Sequence, residues 1–449
     1  MTVASAPDPV DAYVGEFDRL VREDGTEPLW VRKVRESGIE RFRGLGFPGP
    51  KDEAWKYTSV APIARTPFEM EPRGEAPSIP ADLIDPFTFG VLKCSQLVFL
   101  NGRFAPKLSY LRWLPEGVRV RSLAEVVRTD PGSVEPRLSR TAELDGNPFT
   151  ALNTAFMQDG AFINVPEGRI VEEAIHLLFV STPHRVPTVS HPRNLVLLGD
   201  NSQLTVIESY VGLDGGTYLT NSVTEVAVGA NAVLDHHKVQ REGADAYHVA
   251  RMDVVQGPGS GVTCHSMAFG GALARNDVNT RFDGEGGDLV LNGLYALEGR
   301  QHVDNHTLID HAKPNCTSSE LYKGVLDGAS RGVFYGKVIV RKDAQKTVAR
   351  QTNKNLMLSK DAHVDSTPGL EILANDVKCT HGSSIGQLDP DAIFYLRSRA
   401  IDPETARTLL TYAFAAEIVR QVKVAPLRIK LDQLLLSRLP RGESIRESL

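Results

Sequence analysis

The spacing of apolar residues changes character twice along this chain. The opening stretch is helical in period. Val10, Tyr13, Val14, Phe17, Leu20 and Val21 line one helix face, with Asp8 placed as the cap and Pro9 at the first helical position. A second amphipathic run, EPLWVRKVRESGIERFRGLG, ends on glycines suited to a helix C-terminus. KDEAWKYTSV follows, and then a Pro-rich stretch from about Pro62 to Pro86 that reads as a linker or an extended wrap.

From about Leu97 the period shortens. LVFLNGRF, GAFINVPEG, HLLFVST, NLVLLG, LTVIESYVG, TEVAVG and AVLDHHKV are short, alternating or β-branched runs separated by Gly, Asn and Asp. Helix signals almost vanish for some 280 residues. Similar turn signals fall at Gly199, Gly229, Gly257 and Gly286, at intervals of 30, 28 and 29 positions. Two more, at Gly328 and Asp361, follow at longer intervals of 42 and 33. A strand-only repeat of this length predicts a solenoid such as a β-helix, whose rungs must stack because none buries itself alone. A β-sandwich or propeller is the competing architecture, and the spacing favours it less.

The helical period returns at RAIDPETARTLLTYAFAAEIVRQV, with Asp402 as N-cap, Pro403 first in the helix and Glu404 at the positive end of the dipole. Leu409, Leu410, Ala413 and Phe414 form a stripe, and Tyr412, Ala415, Ala416, Ile418 and Val419 make the helix apolar nearly all round. Such a helix is covered on more than one side. One further helix, PLRIKLDQLLLSRLP, offers thin cover, so the pattern fits either a docking partner or packing on the end of the solenoid. The division is a helical region and linker over 1–95, a β core over 96–388 and a helical region over 389–449.

Composition narrows the function. The hydrophobic fraction of 41% and charged fraction of 24% are those of a globular protein with a real core. A net charge of −6 with no basic block argues against nucleic-acid binding, which needs cationic groups to displace counterions. No basic, apolar leader opens the chain and no run approaches the ~20 apolar residues that span a bilayer, so neither secretion nor membrane insertion is expected. Four cysteines, at 94, 264, 316 and 379, form no CxxC, which points to a reducing cytoplasm and to no self-contained cluster site.

Candidate chemistry lies in three places. RQHVDNHTLIDHAKPNC, read as a strand, puts His302, Asp304 and His306 on one surface, as a polar ladder or part of a metal site. In DHHKVQ, His236 and His237 would face opposite sides of a strand and so could not easily serve one ion. GVFYGKVIV carries Gly336-Lys337 but not the spacing of a phosphate loop, and neither GxGxxG nor GxSxG supports nucleotide or hydrolase chemistry. DVKCTHG, as a strand, points Cys379 and His381 to the same face with Cα atoms roughly 6.6 Å apart. The two could hold part of an iron or zinc site, or pack as a buried thiol beside a hydrogen-bonded imidazole.

Three segments resemble the SufB/SufD family of iron–sulfur cluster assembly proteins: residues 301–358, ILANDVKCTHGSSIG, and IFYLRSRAIDPETARTLLTYAFAAEIV. EAWKYTSV is similar to the SufD arm. The resemblance implies a mainly β fold, a right-handed parallel β-helix flanked by N- and C-terminal helical regions. It implies a scaffold rather than an enzyme, paired with a SufB-like paralogue and with a SufC-like ABC-type ATPase docked on the helix from Asp402 to Val422. Asp402, Leu409, Leu410, Phe414 and Ile418 would contact that ATPase. The cargo would be a transient iron–sulfur cluster shared with the partner chain, with His381 as donor and Cys379 beside it. A flavin on the complex and a homodimer in isolation are compatible with the family. SufB-like chains carry a cysteine where this chain reads TNKNLMLSKDA, with Asn355, Leu356 and Met357, so the resemblance is to the partner. The rival readings are a structural β-helix interaction module and a β-helix polysaccharide-active enzyme.

Overall fold

The computed structural model describes residues 8–23, 27–70, 76–89, 94–142, 146–213 and 215–442. Its centre is a parallel β-solenoid of about eight turns, flanked by N- and C-terminal helices. The chain alternates between two sheets, so each strand pairs with the strand two along in sequence. In one sheet Gln203 pairs with Val233, Val233 with Gly261, and Gly261 with Asp288. Asp288 then pairs with Thr317, Thr317 with Val348 and Val348 with Lys378, so each rung takes 27 to 31 residues. The period of the first four turn signals is the rung itself.

In-register stacking turns sequence alternation into columns. Leu204, Leu234, Val262 and Leu289 stack inward in successive rungs and belong to the main core. At one corner Asn201, Asn231, Gly259, Gly286, Asn315 and Lys346 all adopt the left-handed conformation, φ 54–63° apart from Gly286 at 73°. Each donates its N–H to the next rung, to the carbonyls of Ala230, Pro258, Glu285, Pro314, Gln345 and Asp376 in turn. Asn and Gly tolerate this conformation best, which is why they recur. The longer intervals expected at Gly328 and Asp361 mix two corners. Gly328 stacks instead above Gly299, where an added Cβ would lie 2.9 Å from the Gly299 backbone.

The two ends differ. At the start, Ser95–Leu100 is paired antiparallel with Arg103–Phe104, and Arg119–Ser122 antiparallel with Ala161–Val165. Phe99, Phe179 and Tyr210 stack inside, with centroids 4.8 Å apart at each step. At the other end His363–Ile372 and Lys378–Gly386 are the last strands of their sheets, and their outer edges are unpaired among the described residues.

The helices cover the flanks. Pro9–Glu23 and Leu29–Leu45 form as the apolar spacing indicates, with Asp8 accepting the Val10 N–H at 2.9 Å. They pack with Pro148–Phe156, a buried helix that the β-rich reading of this region missed. It is short and apolar all round, so its period is invisible, and its signal is the Asn147 cap with Pro148 at its first position. Gly38 lets the two helices touch, since a Cβ there would meet the Ala155 nitrogen at 2.6 Å. Within the Pro-rich stretch, Glu69–Met70 adds to the strand Thr188–Ser190, and residues 71–75 lie outside the described ones. Pro403–Val419 and Ala425–Ser437 lie on the outer face of a sheet, against Val239, Met267, Leu294 and Val325. That is the flank of the solenoid, not its end.

Candidate functional site

Cys379 and His381 occupy alternate positions of Lys378–Gly386, in register with Ala349 and Gln351. Ala349 and Gln351 are buried inward positions, so both candidate donors share the interior column. Lys378–Gly386 is the last strand of its sheet among the described residues, so no further rung covers that column. His381 is therefore exposed, and it makes no side-chain hydrogen bond or ion pair among the described residues. Cys379 is half-buried and packs on the solenoid core. Burial pushes its thiol up, against the backbone hydrogen bond at Ala349. The two candidate donors lie on the inward face of the last strand, as strand alternation requires.

The lining of that mouth is polar. Ser383 donates to Ser366 across the opening at 2.8 Å, and Ser366 to the Asn353 side chain at 2.7 Å. Deeper, Gln351 donates to Glu320 at 2.7 Å, and Asn355 contacts both Asn353 and the Tyr295 hydroxyl. Burial pushes the Glu320 carboxyl up to about 7. These residues escaped the reading of the sequence, although QTNKN carries the signal: Gln351, Asn353 and Asn355 alternate as polar residues on the inward side of a strand. Among the described residues no group of three or more His, Cys, Asp and Glu side chains is gathered closely enough to hold a metal ion. The mouth holds two candidate donors, one thiol and one imidazole.

Family models match almost the whole length. The model for the SufBD protein N-terminal region matches residues 16–177, and that for the SUF system FeS cluster assembly SufBD core domain matches 179–414. The chain belongs to the SufBD family. An iron–sulfur cluster assembly SufBD family protein of Synechocystis is 33% identical over 96% of this chain and 96% of its own length. The iron–sulfur cluster assembly protein SufD of Escherichia coli is 31% identical over 90% and 92%, and that of Bacillus subtilis 26% over 94% and 96%. The chain is thus a SufD-like member of an iron–sulfur cluster assembly family.

The other candidates in this SufBD chain have structural partners. His302, Asp304 and His306 do share a surface, on the outside of the solenoid. Asp304 accepts from Arg275 at 2.8 Å and from Thr58 at 2.6 Å, and His306 lies 3.0 Å from it. Thr58 also reaches His302 at 2.9 Å, and Arg275 lies over the Trp55 ring. The ladder fastens EAWKYTSV to the solenoid. Arg275 also holds the Asp304 carboxyl low, despite burial that works the other way. His236 points inward, 3.2 Å from Glu208, whereas His237 points outward and stacks on His265 beneath the C-terminal helices. They cannot serve one ion.

The expected docking residues divide. Ile418 is completely buried against the solenoid flank, so in this fold it cannot meet a partner. Phe414 turns the same way, and Lys323 lies over its ring and donates to its carbonyl at 2.9 Å. Asp402 caps its helix through the Glu404 and Thr405 N–H groups and pairs with Arg441. Leu409 and Leu410 are half-buried and remain within reach from outside. The helix is apolar all round mainly because its own solenoid covers it, a contact that sequence spacing cannot distinguish from a partner's.

Proposed function

We propose that this chain is the SufD-type scaffold subunit of an iron–sulfur cluster assembly complex, without catalytic turnover of its own. It pairs with a SufB-like paralogue through the open end of its solenoid, and a nascent cluster is completed there with His381 as one donor. The observation that carries this reading is an exposed imidazole in the mouth of a solenoid whose last two strands have free edges. A free edge of nine or ten residues is a template for another chain's strand. Ile372, Leu373 and Ile385 are exposed beside it, apolar surface that pairing would cover. A cluster needs four donors, mostly thiolates, and the mouth has one thiol and one imidazole. An incomplete set suits cargo that must leave. Cys94, Cys264, Cys316 and Cys379 are all unpaired, as in a compartment that keeps thiols reduced.

A SufC-like ATPase is placed on the solvent side of the C-terminal helices, where Leu409 and Leu410 are reachable, rather than on Ile418 or Phe414. The test is co-expression with SufB-like and SufC-like partners. His381→Ala is expected to leave the complex intact and to lower its iron and sulfide content at least several-fold. Undiminished iron and sulfide in an intact complex would refute the donor role.

A further inference from the structure

The residues directly beneath His381 form a vertical stack whose polarity has a direction. His381 is the register partner of Gln351, and Gln351 of Glu320, so the three side chains occupy one inward column in successive rungs about 4.8 Å apart. Glu320 and Gln351 are each only 1% exposed. The Gln351 amide turns its nitrogen down to Glu320, which it meets at 2.7 Å, and an ionised Glu320 can only accept there. Its oxygen is then left for another direction. Gln351 Oε1 is buried and has no hydrogen-bond partner among the described residues. An unpaired acceptor in that position is costly unless something supplies a donor. His381, next in the column, has two ring nitrogens and no hydrogen-bond partner among the described residues, so a turn of its side chain is what brings an N–H to that oxygen.

Space for this arrangement is built in. Gly336 lies across the interior from Gln351, and a Cβ there would come within 2.3 Å of Gln351 Nε2. Any larger residue would displace the amide. Pro368, the register partner of Gly336 in the last rung, faces the mouth opposite and brings no N–H of its own to compete for the free oxygen.

We propose that Gln351 and Glu320 are positioning residues for His381: Glu320 fixes the Gln351 amide, and the Gln351 oxygen accepts one imidazole N–H, turning the other ring nitrogen out of the mouth as a lone-pair donor. This rests on His381 being a donor to the cargo. It adds that the chain presets which nitrogen is offered and at what angle. Ligand histidines generally hold their second N–H on a carbonyl or carboxylate, and the loss of that contact typically weakens metal binding 10- to 100-fold. Neither residue touches the cargo.

The stack can be tested on the chain alone, without cluster or partners. In a ¹⁵N-histidine-labelled sample, His381 is assigned by its disappearance in His381→Ala. Neutral His381 is expected to show one dominant tautomer. Gln351→Met, similar in size but without an acceptor, is expected to give the mixed tautomers of a free imidazole while the buried His176 and His191 signals stay in place. A second pair avoids dependence on that variant: Glu320→Gln keeps an acceptor for the Gln351 amide and should preserve the single tautomer, whereas Glu320→Leu should lose it. Mixed tautomers in the unaltered chain, or no change in Gln351→Met and Glu320→Leu, would overturn the proposal. In the co-expressed complex, Gln351→Met should release iron at an about 10-fold lower chelator concentration. If His381→Ala leaves iron content unchanged while the tautomer results hold, the stack stands and the cluster reading fails.

Discussion

The two ends of the solenoid are made from the same kind of rung and finished in opposite ways. At the first end, short antiparallel strands cover both sheet edges, and three stacked aromatic rings fill the interior. At the last end both edges are bare among the described residues, and the interior is lined by Gln351, Asn353, Ser366, Ser383 and His381. Proteins normally blunt exposed sheet edges, because an unpaired edge invites association. Blunting one end and sparing the other leaves a free sheet edge, and a polar chamber, on one side only. The contrast teaches that the open end is a feature of the fold and not a general fraying of the stack.

The comparison can first be broken with acid. Burial holds His176, near the closed end, and His191 down to about 3, and the Arg35 charge adds to the effect at His191. Their folded values lie below the ordinary 6.5, so the unfolded chain binds protons that the fold refuses. Stability contributed above pH 6.5 is then lost as pH falls toward 3, on the order of 5 kcal/mol for the two together by pH 4.5. Glu320, toward the open end, has the opposite sign. Its carboxyl is raised to about 7, so its contribution is complete below about pH 4.5 and is lost as pH rises through 7. Urea unfolding followed across pH should show the acid loss in the intact chain, and Glu320→Gln should be more stable than the parent above pH 7, by about 3 kcal/mol.

Truncation at the closed end comes next. Phe179→Ala removes the central ring of the stack and should cost about 3–5 kcal/mol in urea unfolding of the chain alone. The smallest effect on stability belongs to the open end. Ile385→Lys alters an exposed side chain and should change unfolding by less than about 0.5 kcal/mol, yet abolish co-purification with a SufB-like partner. A large stability loss there, or retained pairing, would show that the open end is not an association surface.

Much of this fold was legible because a solenoid repeats. The intervals between Gly199, Gly229, Gly257 and Gly286 are rung lengths, and the shared face of Cys379 and His381 follows from strand alternation alone. What escaped did so for physical reasons. Gly328 and Gly286 look alike as turn residues but lie at different corners, since local chemistry specifies a bend and not its place in a coil. Pro148–Phe156 is buried all round and therefore has no amphipathic period. Ile418 has the apolar character of a docking residue because a hydrophobic side chain records that it is covered, not by which surface. Gln351 and Glu320 become meaningful only when residues 30 apart are stacked.

The recurrent left-handed corner from Asn201 to Lys346 has a consequence for how such a molecule can change in size. Each coil closes with the same bend and hands its N–H to the coil above, so a whole coil is a removable increment. Excising or duplicating one in the middle would shorten or lengthen the cylinder by about 4.8 Å while leaving both finished ends intact. The distance between the arm clasped by Asp304 and the imidazole at the rim is in this sense an adjustable dimension, set by counting coils.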